Sequence, residues 1–461
     1  MRFMSLAFRS LFLWREKICC VCKPIVFQIR KNIWVSTPKS NVRMRTKKCT
    51  RWFNRVIHMR HSLILKLFCM PQMISALTLD IAQDGWNSSR GFIKREISMP
   101  TLDEKNHPED ALSVIVRVRY AGMCGSDRGI WNRVAFTDLF HSALAKEGKT
   151  LRILGHEFVG EVVETGSLVP HLYYEIKKGA MVSGDSHVTC GKCYQCRLGE
   201  AEVCQDQAIF GISIDGIFAE YVKIPAKNLW AIDLNRVRGE IAALYDPFGN
   251  AIHTLSRVDV RGARVAIFGC GQIGLFSVLL ARKFGAAKVI GIDVNEHNLE
   301  LAKQLGAHET IHIEPKEKKD PAAHDEAVVA KIMELTYGKG VDVSLEMAGF
   351  NSSVNNCLEA ARPGGHVVFF GIKDGDFVIP HFSRLIVKGL TIHSIIGRQI
   401  FKSWQIAQRI LSDRTNGIQD AMWQVIMNEG KGTVIPFSEY SIALLEERMA
   451  EYPKLIFDMQ S

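Results

Sequence analysis

The sequence of 461 residues predicts an α/β protein in which a strand-and-turn region precedes a doubly wound parallel sheet. From about residue 249 to residue 400, short and nearly all-apolar segments alternate with helical patterns. Strands of a parallel sheet are covered by helices on both faces, so this alternation predicts that fold. Before residue 249, short segments with alternating polarity and glycine-rich turns indicate antiparallel strands. The chain is also too long for one compact core, so we expect two domains.

The individual elements follow from the spacing of the apolar residues. In the first region, residues 113–120 and 157–163 alternate between apolar and polar side chains, which predicts strands. In the second region, residues 272–284 and 295–305 have a helical pattern. Residues 401–461 have an amphipathic helical pattern, and we expect them to pack back on the first domain. The predicted parallel strands are 264–268, 288–293, 341–347, 366–370 and 390–396.

Charge separates a basic leader, residues 1–72, from the rest of the chain. The leader holds 16 of the 58 Lys and Arg residues and one acid, Glu16, so the remainder is mildly acidic. Three interpretations of the leader stay open: a non-native extension upstream of a start at Met70 or Met73, a mitochondrial targeting peptide, or an arm that binds nucleic acid. The acidic remainder disfavours nucleic acid as a partner. No uncharged apolar run reaches 18 residues, so we predict no transmembrane helix and no membrane partner.

Four of the twelve cysteines form a C-x2-C-x2-C-x7-C motif. Four thiolates on tight turns suit tetrahedral zinc, and a shell closed by four sulfurs indicates a structural site. An iron–sulfur cluster is the alternative, and disulfides between cysteines three residues apart are disfavoured by geometry. Such clustering predicts a reducing, cytoplasmic compartment, or a mitochondrial one if the leader is a transit peptide. The cysteines are Cys190, Cys193, Cys196 and Cys204.

A dinucleotide-binding fingerprint, V-A-I-F-G-C-G-Q-I-G, covers residues 265–274. Its G-x-G-x-x-G follows a predicted strand and opens a predicted helix, which is the context that the motif requires. Gly269 allows the tight turn, Gly271 lets the backbone approach a pyrophosphate, and Gly274 lets helix and strand pack closely. Asp293 ends the next strand, where a carboxylate accepts hydrogen bonds from a ribose 2′-OH and favours NAD over NADP. The alternative is a glycine-rich turn without a nucleotide.

A second candidate metal site combines Cys124, in G-M-C-G-S-D, with His156 and Glu157, in G-H-E. A Cys/His/carboxylate set is typical of an open catalytic zinc site. The spacing alone is modest evidence, because a histidine beside a glutamate more often lies at the solvent-exposed surface.

The chain is similar to the zinc-dependent medium-chain alcohol dehydrogenases, and within them to the L-threonine 3-dehydrogenases, over about residues 73–410. This resemblance implies a GroES-like, β-rich catalytic domain at 73–248 and a Rossmann NAD-binding domain at 249–400. The C-terminal segment, 401–461, is expected to return to the catalytic domain. The similar motifs are C-G-S-D, G-H-E-F-V-G-E-V, S-G-D-S-H-V-T-C-G-K-C, D-P-F-G-N-A-I-H-T, D-V-N-E-H-N-L-E-L-A, L-E-M-A-G and I-I-G-R.

The resemblance also implies roles for individual residues. Cys124, His156 and Glu157 are implied as ligands of a catalytic zinc, and the four clustered cysteines as ligands of a structural zinc. Asp246, in D-P-F-G-N-A, lies where the family has an acid that ligates the metal or relays protons; the alternative is an ordinary Asp-Pro turn. His187 matches a histidine beside the substrate pocket. NAD contacts are implied at Ile273, Asp293, Phe370, Gly371, Ile372, Ile395 and Ile396.

Three departures from the family pattern concern the pocket and the cofactor site. Ser126 is implied to take the substrate's alcohol proton, but Gly129 stands where the family has the histidine that passes it to solvent. His141 and His187 are candidates to replace that histidine. The segment 131–152 is longer than the family's usual loop, which predicts an altered pocket rim. Asn298 stands where the threonine branch commonly has an arginine near the adenosine ribose, which predicts weaker NAD binding.

These features together imply a zinc-dependent NAD oxidoreductase that oxidises a secondary alcohol. The best substrate prediction is L-threonine, which would give L-2-amino-3-oxobutanoate; a polyol or sugar alcohol is the alternative within the family. A zinc- and NAD-binding relative without turnover is a further alternative, indicated by Gly129. The family assembles through sheet pairing in the cofactor domain, so a homotetramer or homodimer is expected.

Overall fold

The computed structural model describes residues 72–314, 323–372 and 376–461, and its first strand begins at Met73. The predicted basic leader lies outside the described residues, apart from the exposed Gln72. In the described part of the chain, no helix is long and apolar enough to span a bilayer.

The first lobe is built on antiparallel strands. Strand β3 is the long central strand of its larger sheet, because it pairs with β5 along its length and with β9 beside its first half. A smaller sheet has the order β2-β1-β4, and β7 pairs with β8. The ten strands are β1 Met73–Asp80, β2 Ile93–Ser98, β3 Ser113–Met123, β4 Leu151–Ile153, β5 Glu157–Thr165, β6 Met181–Gly184, β7 His187–Val188, β8 Ala208–Ile209, β9 Tyr221–Pro225 and β10 Leu229–Ala231.

The second lobe is the predicted parallel sheet. Its six strands have the order β13-β12-β11-β14-β15-β16, and every pairing is parallel. Buried apolar side chains pack on both faces of this sheet, which confirms the α/β fold class. The strands are β11 Arg264–Phe268, β12 Lys288–Asp293, β13 Glu309–His312, β14 Val341–Glu346, β15 Ala361–Phe369 and β16 Thr391–Ser394.

Two differences from the predicted strands have clear causes. Strand β13 was not predicted, because only Ile311 of its four residues is apolar and buried. Residues 401–461 are not all helical, since they also contain β17 Val434–Pro436 and β18 Leu455–Asp458. Strand β18 pairs antiparallel with β3, with Leu455 opposite Met123, so this segment joins the sheet of the first lobe.

The α-helices follow the same division. The helix Tyr245–Leu255 is buried throughout and packs against Gln272–Lys283, Lys402–Ser412 and, in the first lobe, β5, so it links the two lobes. The helices of the first lobe are Gly125–Trp131, Thr137–Glu147, Val169–Leu172, Tyr194–Leu198 and Gly239–Ala242. Those of the parallel-sheet lobe are Gln272–Lys283, Glu296–Gln304, Glu326–Leu335, Asn351–Ala360 and Ser383–Lys388, and the C-terminal ones are Lys402–Ser412, Ile418–Ala421 and Ile442–Glu451.

His253, in the helix Tyr245–Leu255, connects this helix to the loop after β16 by a hydrogen bond. Its Nε2 accepts a hydrogen bond from the Arg257 guanidinium at 2.9 Å, and its Nδ1 lies 3.1 Å from the carbonyl oxygen of Gly397. Since Nε2 accepts, the proton must be on Nδ1, which donates to Gly397. Burial lowers the pKa of His253 to about 4, and the charge of Arg257 acts in the same direction. The ring is therefore neutral near pH 7.

This depressed pKa predicts a loss of stability in acid. The unfolded chain binds a proton on this histidine below pH about 6.5, whereas the folded chain does so only near pH 4, so stability falls across that window. We expect the thermal unfolding midpoint to fall less between pH 7 and pH 5 in His253→Gln than in the wild type. The control is His171→Gln, at an exposed histidine, which should follow the wild type. Parallel curves for all three proteins would contradict the prediction.

Candidate active site

Cys124 lies where the central strand of the first lobe turns into a helix. Strand β3 ends at Met123, and Cys124 is the N-cap of the helix Gly125–Trp131. The carboxylate of Asp127, in the first turn, accepts a hydrogen bond from the Cys124 N–H at 2.8 Å. This capping interaction fixes the backbone of Cys124.

His156 and Glu157 reach the same place from the start of β5. Gly155, with φ +84°, turns the chain so that His156 precedes the strand and Glu157 begins it. His156 Nδ1 lies 3.5 Å from Oδ1 of the buried Asp127. Burial alone would lower the pKa of His156, but the charges of Asp127 and Cys124 outweigh it and raise the pKa well above its usual value. Negative charge from Asp127 and Cys124 therefore surrounds this imidazole.

Cys124, His156 and Glu157 each offer one ligand atom, and these three atoms lie within 4.8 Å of one another. A thiolate, an imidazole and a carboxylate are the donor set of catalytic zinc sites. The contact between Asp127 and His156 Nδ1 leaves Nε2 for a metal, as in carboxylate–histidine–metal arrangements. The residues present thus fit a zinc ion.

Asp246, the fourth predicted ligand, is engaged in another interaction. Its Oδ2 lies 2.8 Å from the Arg398 guanidinium and accepts the Ser186 N–H at 3.3 Å. Among the described residues, its carboxylate is not part of the close group formed by Cys124, His156 and Glu157. Burial raises the pKa of Asp246 to about 6, against the opposing effect of Arg398.

Arg398 is the centre of a buried polar network that the sequence analysis did not identify. Its guanidinium donates to both oxygens of Asp185, at 2.9 and 2.7 Å, and to Ser186 Oγ at 2.6 Å. Trp404 Nε1 donates to Asp185 Oδ2 at 3.0 Å. The I-I-G-R motif contains Arg398, but nothing in the motif indicated its acidic partners.

His187 lies beside this network. Its N–H donates to Asp185 Oδ1 at 2.9 Å, and its ring Nδ1 is 4.0 Å from the same oxygen without a hydrogen bond among the described residues. Burial and the Arg398 charge lower the pKa of His187 to about 4. The imidazole is therefore neutral near pH 7, and its Nδ1 is buried without a hydrogen-bond partner among the described residues.

The structure explains the glycine at position 129. Ser126 lies in the first turn after Cys124, with Oγ 3.4 Å from His156 Nε2. A Cβ added to Gly129 would lie 2.7 Å from the Cβ of Ala135, which belongs to the segment that follows this helix. That segment therefore excludes any side chain at position 129. Of the two proposed substitutes for the absent histidine, His141 packs edge-on against Trp86 with ring centroids 5.1 Å apart, whereas His187 lies beside the Arg398 network.

The four clustered cysteines converge on one point. Their sulfurs all lie within 4.8 Å of one another, and all four are free thiols. The sulfurs of Cys193 and Cys204 are 3.8 Å apart, and a tetrahedron with Zn–S bonds of about 2.3 Å has edges of about 3.8 Å. Backbone N–H groups of Cys196 and Gln205 lower the pKa of Cys193 to about 6, which favours its thiolate. The cluster fits a closed tetrahedral metal site.

The glycine loop has the shape that a dinucleotide needs. Gly269, with φ +95°, turns the chain after β11, and a Cβ on Gly274 would collide with the Gly269 carbonyl oxygen. Around Gly271, which caps the helix Gln272–Lys283, a Cβ would find nothing within 4 Å. This open space at a helix N-terminus is where a pyrophosphate binds favourably.

Asp293 is oriented by two backbone N–H groups. Cys270 N–H donates to its Oδ2 at 2.6 Å and Asn295 N–H to its Oδ1 at 2.8 Å. Asn298 is the third residue of the next helix, Glu296–Gln304, and its N–H donates to the side-chain oxygen of the capping Asn295 at 3.3 Å. The carboxylate therefore stands at the end of β12, next to the glycine loop.

The other predicted NAD contacts lie along the same edge of the parallel sheet. Phe370, Gly371 and Ile372 follow β15, and Ile395 and Ile396 follow β16. Ile273 is partly buried in the first turn after Gly271. The carboxyl ends of parallel strands meet at one edge, so these positions lie along the same edge of the sheet as Gly269 and Asp293.

Three residues at the metal cluster and the glycine loop were missed by the sequence analysis. Lys454 is fully buried and pairs with Glu157 Oε2, and Gln272 Nε2 lies 3.4 Å from Glu157 Oε1. Asp127 holds Cys124 and His156 as described above. Asp127 belongs to C-G-S-D and Gln272 belongs to the glycine fingerprint, so both lay in motifs visible in the sequence. Lys454 is distant in sequence, and its only signal is a lysine directly before an apolar strand.

Comparison with known proteins agrees with this geometry. Residues 110–234 match the family described as alcohol dehydrogenase GroES-like domain, and residues 273–413 match the family described as zinc-binding dehydrogenase. An L-threonine 3-dehydrogenase of Bacillus licheniformis is 36% identical over 306 residues, which cover 66% of this chain and 82% of that protein.

Two solved structures have the same fold. A zinc-binding dehydrogenase of Sinorhizobium meliloti, bound to NADP, is 26% identical with a TM-score of 0.64, covering 84% of this chain and 99% of that one. L-idonate 5-dehydrogenase of Escherichia coli is 21% identical with a TM-score of 0.63 and the same coverage. The chain therefore belongs to the zinc-dependent medium-chain alcohol dehydrogenases and is an NAD-dependent zinc oxidoreductase.

Proposed function

We propose that the chain oxidises the secondary hydroxyl of L-threonine with NAD⁺, giving L-2-amino-3-oxobutanoate, NADH and a proton. The observation that carries the substrate is the 36% identity to an L-threonine 3-dehydrogenase over 82% of that protein's length. The chemistry is supported by the Cys124, His156 and Glu157 cluster beside the glycine loop, which Gln272 connects to Glu157.

In this proposal, Cys124, His156 and Glu157 hold the catalytic zinc, and Asp127 keeps His156 in the correct orientation. Zinc supplies a Lewis acid that lowers the pKa of a substrate alcohol. Asp246 pairs with Arg398 and accepts the Ser186 N–H, and it does not join the three proposed ligands. We therefore assign it to the pocket wall, where it positions Arg398 and Ser186.

Ser126 is proposed to accept the proton of the substrate hydroxyl while its own hydroxyl proton passes to solvent water, which reaches this partly exposed residue. Its Oγ lies 3.4 Å from His156 Nε2, on the helix that begins at Cys124, and is therefore next to the ligand set. The neutral His187, which lies beside the Arg398 network, is proposed to contact the substrate. Gly129 cannot contribute, because Ala135 fills the space beside it.

NAD is proposed to bind along the carboxyl edge of the parallel sheet. The pyrophosphate would lie over Gly271, and Asp293 would accept hydrogen bonds from the adenosine ribose. The four clustered cysteines would hold the structural zinc.

We propose that the chain forms a homodimer or homotetramer through the parallel sheet. Strand β16 is at the edge of that sheet, and large apolar side chains near it are exposed. An open strand edge with exposed apolar residues is suited to pairing with a second copy. The exposed side chains are Phe377, Phe382, Ile386, Val387 and Ile392.

A second candidate substrate is a polyol or sugar acid. The helix Thr137–Glu147 and the segment before it alter the surroundings of Ser126, and the fold neighbour L-idonate 5-dehydrogenase acts on a sugar acid by its name. The two candidate functions differ only in the substrate that is oxidised, because they use the same proposed metal and NAD sites.

The substrate proposal is tested by NADH formation from L-threonine, L-idonate and a series of polyols with the zinc-loaded chain. We expect the highest kcat/KM for L-threonine. Activity confined to L-idonate or polyols would support the second candidate, and NAD binding without turnover on any of them would indicate a non-catalytic relative.

The catalytic metal assignment predicts that Cys124→Ser abolishes turnover while NAD binding is retained, because a serine hydroxyl does not replace a zinc-bound thiolate. Cys357→Ser, at a buried cysteine of the helix Asn351–Ala360, is the control and should stay active. Steady-state NADH formation and NAD titration by protein fluorescence measure the two properties. Full activity in Cys124→Ser would exclude the assignment.

The cofactor assignment predicts that Asp293→Ala weakens NAD binding far more than NADP binding. Hydrogen bonds to a charged group contribute about 1.5–3 kcal/mol, so the NAD dissociation constant should rise about 10- to 100-fold. Asp259→Ala is the control, since that exposed carboxylate contacts Arg261 in its own turn. An unchanged ratio of the NAD and NADP constants would disprove the role of Asp293.

The structural metal assignment predicts that Cys193→Ser loses one zinc equivalent per chain and lowers the unfolding midpoint, because one of four ligands is removed from a closed shell. Elemental analysis after exhaustive dialysis measures the first effect, and calorimetry measures the second. A zinc content in Cys193→Ser equal to that of the wild type would contradict the structural metal assignment.

A further inference from the structure

The L-E-M-A-G motif, residues 345–349, contributes no residue to the proposed metal ligands or NAD contacts. Its glutamate, Glu346, is the last residue of β14 and is fully buried. It therefore lies at the carboxyl edge of the parallel sheet, where β14 is between β11 and β15. A buried carboxylate at this edge needs hydrogen-bond partners, because burying an ionised group without them costs a large free energy.

One oxygen of Glu346 organises the turn that follows β14. Its Oε1 accepts the N–H groups of Ala348 and Gly349, both at 2.9 Å, and the hydroxyl of Ser353 at 2.7 Å. Two of these donors belong to the turn, and the third belongs to the helix Asn351–Ala360 that comes next. Burial raises the pKa of Glu346, whereas these three donors oppose that shift because they favour the charged carboxylate. The side chain thus fixes the turn against the helix.

The other oxygen of Glu346 faces the turn that follows β15. A Cβ on Gly371 would lie 2.6 Å from Glu346 Oε2 and would collide with the backbone nitrogen of Gly349. The carbonyl oxygen of Glu346 also accepts the N–H groups of Phe370 and Gly371, at 3.0 and 3.1 Å. The turns after β14 and β15 are therefore packed backbone to backbone around Glu346, with no room for a side chain at position 371.

The turn after β14 also contacts the glycine loop. The N–H of Met347 donates to the carbonyl oxygen of Phe268, the last residue of β11, at 2.8 Å. A Cβ on Gly269 would lie 3.0 Å from the Cβ of Ala348. Three neighbouring turns, after β11, β14 and β15, are thus held at a fixed spacing, and Glu346 belongs to the middle one.

The strand order divides this edge of the sheet into two halves. Asp293 ends β12, on one side of β11, whereas Glu346 ends β14, on the other side. A dinucleotide binds across such a switch point, with one mononucleotide on each half of the sheet. With the adenosine ribose at Asp293, the nicotinamide half of the cofactor extends toward β14, β15 and β16. Glu346 therefore belongs to the nicotinamide half alone.

We propose that Glu346 is a positioning residue for the nicotinamide half of NAD, and that it acts by fixing the spacing of the turns after β14 and β15. The inference rests on the proposed binding of NAD along this edge. Because its side chain is fully buried, Glu346 acts through these turns rather than by contact with the cofactor. Asp293 is oriented separately, by the N–H groups of Cys270 and Asn295. Loss of Glu346 should therefore weaken NAD binding without weakening a ligand of the adenosine half.

The test compares the dissociation constants of NAD⁺ and ADP, measured by calorimetric titration of the full zinc-loaded chain. ADP carries the adenosine half of the cofactor without the nicotinamide. Glu346→Ala leaves three buried donors without their acceptor, so we expect the NAD⁺ constant to rise at least about tenfold and the ADP constant to stay within about twofold. Glu346→Gln returns a carbonyl oxygen to these donors and should recover most of the lost NAD⁺ affinity.

Asp342→Asn is the matched control for a general effect on folding. Asp342 lies near the opposite end of the same strand, where it accepts hydrogen bonds from Arg264 and Arg362. This variant should have a lower unfolding midpoint but unchanged constants for both ligands. Ser353→Ala removes one donor from Glu346 Oε1 and should raise the NAD⁺ constant about threefold, again without a change for ADP. If Glu346→Ala does not fold, Ser353→Ala decides the question.

NAD⁺ constants that are equal in the wild type, Glu346→Ala and Ser353→Ala would overturn the positioning role alone. The same holds if the loss of affinity is as large for ADP, or as large in Asp342→Asn. If Asp293→Ala leaves ADP binding at its wild-type strength, the proposed cofactor site itself fails, and this inference fails with it. The titration of Asp293→Ala with ADP therefore distinguishes the two failures.

Discussion

The site depends on one strand pairing, between the end of β3 and the start of β5. Gly122 lies opposite Glu157, so Cys124, two residues beyond Gly122, comes next to His156, one residue before Glu157. The same strand β3 pairs with β18, which delivers Lys454 from the far end of the chain. Only glycine fits at position 122, because the buried ion pair occupies the space beside it. A change of register by one residue would turn these side chains to the other face of the sheet.

Burying charged groups costs desolvation free energy, and each buried carboxylate of this site has an oppositely charged or imidazole partner. Glu157 has Lys454, Asp246 and Asp185 share Arg398, and Asp127 faces His156. Breaking a buried pair leaves an uncompensated charge, which costs about 3–5 kcal/mol. The network therefore ties residues from both lobes and the C-terminal segment to fixed positions around the proposed substrate pocket.

Much of this architecture could be predicted from local sequence patterns. The apolar strands, the glycine fingerprint with Asp293, and the cysteine spacing each follow from a short segment whose physical requirements are known. The missed residues act through distant partners: Arg398 and Asp185 are 213 residues apart, and Lys454 and Glu157 are 297 residues apart. No local periodicity shows such pairs. The absence of a side chain at Gly129 was visible in the sequence, but its cause, contact with Ala135, required the folded chain.

The central claim is that Cys124 and His156 bind a catalytic zinc next to the NAD crevice, while the four cysteines bind a separate one. Anomalous diffraction from crystals of the zinc-loaded protein, recorded above and below the zinc absorption edge, tests it most directly. The account predicts two peaks per chain, one among the four cysteine sulfurs and one in contact with Cys124 Sγ and His156 Nε2. A single peak at the cysteine cluster, with none at Cys124, would contradict it.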